Sequence, residues 1–213
     1  MELKREKSFL KDTPVTKPED SPYICWVDLE CTGNRPEDQI IEIGAVMTDR
    51  DLNELSAKQI VVKALLSTEK VLEIDPFVLE MHTKNGLWID CALSEVLAPD
   101  ADAQMVEWIK QYTKGDHIPL AGSGVSHYDR DYIEKDLPKF NRYLSYWAYD
   151  TGVIRRTLKL FGIDASFADT TDDKTHRALD DIKAHVEEMR RYKQLFTAML
   201  SGPASVRSAG WPG

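Results

Sequence analysis

Four carboxylates and one imidazole carry the chemistry that can be read in this chain: Asp28 and Glu30, Asp129 mid-chain, and His176 with Asp181 in the run His176-Arg177-Ala178-Leu179-Asp180-Asp181-Ile182. Carboxylates from a strand, a second element and a late helix can converge to hold two divalent cations over a phosphodiester, as in a metal-dependent nuclease. The first pair has the most specific spacing. Side chains of a strand alternate faces, so Asp28 and Glu30 project to one side while Leu29 points into the core. Two such anions repel unless a cation bridges them or water screens them. The apolar run of residues 24–27 is of strand type and puts the pair at a strand's carboxyl end, where open α/β sheets bind ligands. The plainer alternative is a solvated loop, because Thr32-Gly33-Asn34-Arg35-Pro36 follows at once and Asp-x-Glu is common by chance.

The other residues are less specific by position. Asp129 follows a Gly122-Ser123-Gly124 turn and begins an expected helix. A first-turn acid favoured by the helix dipole is the bland reading, and Asp131 and Asp136 have the same claim. His176 and Asp181 lie five residues apart, a rotation of about 140° on a continuous helix, whereas Asp180 would share a face with His176. His176 and Asp181 therefore face one site only if His176 sits on the loop or first turn before the helix. The polar run of residues 168–175 fits such a loop. An imidazole there, with an unperturbed pKa of about 6.5, can take a proton from water. A surface histidine at a helix start is the alternative.

The elements that must position these groups follow from hydrophobic period. Residues 39–47 and 58–65 read as strands, so with the strand before Asp28 a three-stranded meander opens the domain. Residues 76–82 and 103–112 space their apolar side chains at helical intervals. Residues 117–122 read as a fourth strand leading to a helix at 129–137, and 146–150 as a fifth, with helices near 151–161 and 176–199 closing the fold. The expectation is an α/β fold, a five-stranded mixed sheet flanked by helices. Residues 1–22, with Pro14, Pro18 and Pro22, read as a flexible arm, 23–200 as one domain, and 201–213 as a disordered tail.

Composition narrows the function. The 213 residues suit one domain with a substantial core. The formal charge of −9 argues against a broad basic surface that grips long nucleic acid through counterion release. Residues 1–22 balance five basic with five acidic side chains and 201–213 add only Arg207, so the body is more acidic still. A nuclease of this charge must hold phosphate through metal ions and a few local contacts, which suits a short substrate or a strand end. No run approaches a membrane span and the N-terminus lacks a signal peptide's apolar centre, so a cytoplasmic protein without a membrane partner is expected. Cys25, Cys31 and Cys91 are odd in number and lack zinc-site spacing, which makes them free intracellular thiols. Oxidation of Cys25 or Cys31 would fall near the acidic pair.

A resemblance joins these signals. Asp28-Leu29-Glu30 with Thr32-Gly33, then Ile40-Ile41-Glu42-Ile43, then the run from Met81 to Leu87, then Asp129 nine residues before Pro138, then the run from His176 to Ile182, together resemble oligoribonuclease. Oligoribonucleases are a branch of the 3′-to-5′ exonucleases with an Asp-Glu-Asp-Asp-His site. The likeness runs from about Tyr23 to Phe196. It implies a ribonuclease H-like fold, two Mg²⁺ or Mn²⁺ ions, and release of nucleoside 5′-monophosphates from the 3′ ends of short single-stranded RNA or DNA. Asp28, Glu30 and Asp181 would hold one metal, and Asp28 would bridge to the second with help from Asp129. His176 would be the general base, Thr32, Gly33 and His82 would touch substrate, and the enzyme would be a homodimer. The resemblance selects Asp129 over Asp131 and Asp181 over Asp180.

The chain also departs from the family. Asn34 stands where the family has a Leu that wedges the terminal base, and the Arg and Ser that cap a 5′ phosphate fall on Tyr146 and Gly152, leaving Arg155 or Arg156 as substitutes. These departures keep open a broader DNA and RNA exonuclease similar to polymerase proofreading subunits. A catalytically silent end-binding relative and a two-metal phosphatase are the remaining alternatives.

Overall fold

The computed structural model describes residues 20–113, 117–164, 166–168, 170 and 175–201. The arm expected over 1–22 and the tail expected over 201–213 lie outside the described residues, except for 20–22 and Ser201. Strand β1 (Tyr23–Cys31) pairs antiparallel with β2 (Ile40–Asp49), which pairs antiparallel with β3 (Glu54–Val61). Four helices follow, α1 (Thr68–Glu73), α2 (Pro76–Lys84), α3 (Leu87–Leu93) and α4 (Ala98–Ile109). Strand β4 (Ile118–Gly122) then runs parallel to β1, and helices α5 (Asp129–Asp136) and α6 (Pro138–Asn141) lead to β5 (Leu144–Asp150), parallel to β4. Helix α7 (Thr151–Leu160) and the long α8 (Ala178–Ser201) close the chain. The sheet order is β3-β2-β1-β4-β5, the five-stranded mixed sheet expected.

Alternation along β1 sorts the core from the site. Cys25, Val27, Leu29 and Cys31 enter the large cluster with Met105, Ile109 and Ile133, on the face covered by α4 and α5. Trp26 packs on the opposite face with Ile182 and Val186 of α8, and its Nε1–H donates to Thr48 Oγ1 at 3.0 Å. Asp28 and Glu30 share that second face, so the helix that seals one end of it also delivers Asp181 and the segment bearing His176.

Most element ends differ by one or two residues from those read in the sequence, and two elements differ by more. The third strand is 54–61 rather than 58–65: the Val62 N–H still donates to the Ile41 carbonyl at 2.8 Å, but the Val61 carbonyl accepts from Ser94 Oγ at 2.7 Å and the Lys63 N–H turns to the Val96 carbonyl at 2.8 Å, so the chain leaves the sheet there. Helix α4 starts at Ala98, earlier than residue 103, since Pro99 fits a first turn where its missing N–H costs nothing.

Candidate active site

The site forms where the sheet splits. Strands β1 and β4 are registered only at Cys25 with Leu120 and Trp26 with Ala121. Beyond that point the Leu29 N–H, between the two acidic residues, donates instead to Asp129 Oδ1 at 3.0 Å. Asp129 opens α5 but turns its carboxylate to β1, so it is not a cap for its own helix. It is 4% exposed, whereas Asp131 lies exposed on the helix surface.

Helix α8 brings the other half of the site. Asp181 sits in its first turn, buried, and its Oδ1 accepts from the Thr175 N–H at 3.1 Å. Asp180 is exposed and bonds to Thr175 Oγ1. His176 precedes the helix with φ of 54°, and its ring lies near Asp181. A left-handed backbone is costly for a residue with a Cβ, and surrounding bonds hold it. Asn85 Nδ2 donates to the His176 carbonyl, and Arg177 donates to the Asn85 carbonyl at 3.4 Å. Arg177 also forks onto Glu42 at 2.7 Å and reaches Asp90 at 2.9 Å. Glu42, fully buried, accepts the Ala178 N–H at 2.9 Å and so satisfies one of the open donors at the start of α8.

The approach is close. A Cβ on Gly44, the β2 partner of Asp28, would lie 2.2 Å from the Ala178 carbonyl carbon and 2.4 Å from the Leu179 nitrogen. Only a residue without a side chain lets the start of α8 rest on β2 at this height.

Among the described residues, Glu30, His176 and Asp181 form a group able to hold a cation, each offering one ligand atom within 4.8 Å of the others. Glu30 and Asp181 are buried and His176 is half-buried. Asp28 and Asp129 flank this group without joining its tightest part. Two buried carboxylates beside an imidazole are donors that could hold a divalent metal.

The expected substrate contacts are His82, Thr32 and Gly33. His82 is fully buried, and its Nε2 lies 3.3 Å from the Cys31 carbonyl and 3.7 Å from Glu30 Oε2. Burial pushes its pKa down. Glu30 and the Cys31 carbonyl are thus its neighbours on β1. Thr32 is buried and bonds to Asp38 Oδ1 at 3.1 Å, closing the loop. Gly33, also buried, gives its carbonyl to the hydroxyls of Tyr128 and Tyr132, each at 3.0 Å. Beside this clasp lies an open cavity of about 220 Å³, lined by Asn34, Arg35, His127, Tyr128, Tyr132 and Lys135 among others.

The three thiols are free and buried. Burial pushes Cys25 and Cys31 well above the usual thiol range and Cys91 up to about 12. Their protonated state and the opposite facing of Cys25 and Cys31 from the acidic pair leave them unreactive.

Sequence reasoning missed Glu42, Arg177 and Gly44, and it missed His185 on α8. The signal for His185 was its spacing four residues beyond Asp181, which places both on one helix face amid the apolar Ile182 and Val186.

A split sheet lined with acids defines the class, a nuclease of exonuclease fold. Escherichia coli exonuclease I, solved with a dT13 oligonucleotide, matches with a TM-score of 0.58 at 15% identity, over 85% of this chain and 44% of that one. Exonuclease I from Methylocaldum szegediense matches with a TM-score of 0.53 at 18% identity, over 81% and 40%. These likenesses speak for the fold alone, and the chain spans less than half the length of either. The chain belongs to the exonuclease family, whose model matches residues 25–189, on its oligoribonuclease branch. The oligoribonuclease of Nocardia farcinica is 32% identical over 189 residues, covering 87% of this chain and 86% of that protein. That of Neisseria meningitidis serogroup B is 29% identical over 187 residues, covering 87% and 97%, and that of Colwellia psychrerythraea is 32% identical over 175 residues, covering 81% and 94%. The sheet is ribonuclease H-like, as the resemblance implied. Among the described residues no helix is long and apolar enough to cross a membrane.

Proposed function

We propose that this chain is a metal-dependent 3′-to-5′ exonuclease that hydrolyses short single-stranded oligonucleotides, RNA foremost, and releases nucleoside 5′-monophosphates. The meeting of Glu30, Asp181 and His176 within 4.8 Å carries this reading. A set of carboxylate oxygens suits two Mg²⁺ or Mn²⁺ ions. Asp28, Glu30 and Asp181 would hold the first, Asp28 would bridge to the second, and Asp129 would complete it directly or through water. Such ions, when bound, supply the lowered water pKa and the positive charge that phosphodiester hydrolysis needs.

The chain's own groups supply the rest. His176, half-open to solvent on its loop, accepts the proton of the attacking water and passes it to bulk. The Leu29 N–H fixes the Asp129 carboxylate, and the Thr175 N–H fixes that of Asp181, so the ligands are held before substrate arrives.

A phosphate cap for short substrates finds support in Arg156. Its Nη1 lies 3.2 Å from a Cβ built on Gly152, where the family's capping Ser falls. Arg155 is committed elsewhere, to Glu188 at 2.7 Å. A homodimer accords with the exposed Tyr146 (90%) and Trp147 (64%) on the edge strand β5. Free thiols accord with a cytoplasmic setting.

A time course with 5′-labelled RNA and DNA, each as a dinucleotide and a longer strand, with Mn²⁺, with Mg²⁺ and with chelator, tests the proposal. Fast cleavage of the RNA dinucleotide is expected. Asn34 favours a second reading, the broader exonuclease, which a 3′ ladder on long RNA and DNA alike would reveal. Binding of ends without hydrolysis would indicate the silent relative, and release of inorganic phosphate a phosphatase.

A further inference from the structure

Behind Asp28 lies an imidazole that the reaction does not use. His185 is 0% exposed. Its Nε2 faces Asp28 Oδ1 at 3.8 Å and its Nδ1 faces Glu188 Oε2 at 3.5 Å, both outside good hydrogen-bond length. Both nitrogens lack a hydrogen-bond partner. A buried polar atom without a partner is costly, so a ring left this way calls for an explanation.

The ring is itself held firmly. Glu188, also 0% exposed, accepts from Arg155 Nε at 2.9 Å and Nη2 at 2.7 Å and from the Tyr192 hydroxyl at 2.8 Å. Arg155 comes from α7 and Tyr192 from one turn further along α8, so Glu188 is a fixed wall. Helix α8 itself is pinned by Ile182 and Val186 against Trp26. His185 thus stands between an immobile carboxylate and one whose other side faces the site. Its Nε2 points at the single oxygen of Asp28 nearest to it.

We propose that His185 is a positioning residue for Asp28: with its Nδ1–H turned to the Glu188 carboxylate that Arg155 holds and its Nε2–H turned to Asp28 Oδ1, it closes on Asp28 when a cation is bound, which fixes the carboxylate's direction and raises cation affinity. Partners of this kind behind metal-bound carboxylates typically set affinity or activity by about 10–100-fold. The proposal rests on reading Asp28 as a metal ligand.

The test compares His185→Gln, whose side-chain amide can place an N–H near the Nε2 position, with His185→Asn, whose amide matches Nδ1 and falls short of Asp28. Mn²⁺ is titrated into each metal-free protein and into wild type and Asp28→Asn, with binding read by calorimetry and by the loss of the free-Mn²⁺ paramagnetic signal. Thermal melts of the metal-free proteins report folding. The expected result is about a tenfold weaker Kd for His185→Asn and a Kd within about threefold of wild type for His185→Gln. Equal affinity in both variants and wild type, or an equal loss in both variants whose melts match, would overturn the proposal. Asp28→Asn distinguishes the underlying reading: unchanged Mn²⁺ binding in that variant would remove Asp28 from the metal site, whatever the His185 variants do.

Discussion

His176 and His185 lie nine residues apart on one segment, yet they meet different carboxylates of the acidic cluster. His176 is on a loop with a left-handed backbone, half-open to solvent, with its ring among Glu30 and Asp181. His185 is sealed within α8 between Asp28 and Glu188. The first can exchange a proton with water and the second cannot do so without opening the core. Access to water, more than residue type, therefore separates the proposed proton acceptor from the proposed positioning group.

Removal of a ligand should have the largest effect and should not distinguish the two histidines. Asp181→Asn is expected to cut kcat by about 10³-fold or more, a loss of several kcal/mol of transition-state stabilisation, while the metal-free protein melts no earlier than wild type. Single-turnover cleavage and calorimetric melts check this. The histidines separate in the next test. His176→Ala should lower kcat by about 10²–10⁴-fold with Mn²⁺ affinity nearly unchanged. His185→Asn should weaken Mn²⁺ first and recover part of its rate at high metal. Equal kinetic profiles at saturating Mn²⁺ would erase the contrast.

A subtler probe acts on the spacing shared by both histidines. Gly44→Ala should cost about 1–3 kcal/mol by overpacking against the Ala178 backbone. By lifting the start of α8 it should weaken Mn²⁺ binding as well, which melts and titrations would show together. The smallest effect concerns Glu188. Burial alone would raise its carboxyl, but His185, Arg155 and Tyr192 outweigh burial and hold it at about 2, against 4.5 for the free group. A carboxyl lowered on folding stabilises fully above its unfolded pKa, and that stability is lost as pH falls from about 4.5 towards 2. The difference corresponds to about 3 kcal/mol. Glu188→Gln should therefore flatten the fall in melting temperature between pH 5 and pH 3. A slope as steep as that of wild type would show that another group governs acid stability.

The sequence revealed the front of this site better than the back. Asp28 and Glu30 share a face because strand geometry allows little else, and the placing of His176 before the helix followed from 3.6-residue arithmetic. Asp129 could not be chosen over Asp131 by position, since its role depends on the point where β4 leaves β1, a contact between residues 100 apart. The pairing of Glu42 with Arg177 spans 135 residues, and no local pattern announces it. His82 was legible as a residue and not as a fully buried one, because its burial depends on α2 folding over Cys31. Strand and helix ends shifted by a few residues where tertiary bonds, such as Ser94 to Val61, outweighed local preference.

The link from Asn85 and Asp90 to the His176 segment sets a limit on how far the enzyme can be simplified. Helices α2 and α3 look like a cover laid over the sheet edge, and a minimal nuclease cut down to β1, β2 and α8 would discard them. Asn85 holds the carbonyl of His176 and Asp90 holds the guanidinium of Arg177. The His176 segment would thus lose two of its anchors with the cover. The smallest portable unit of this site includes α2 and α3, and a graft of the acidic motifs alone onto another five-stranded sheet would carry the ligands without the geometry.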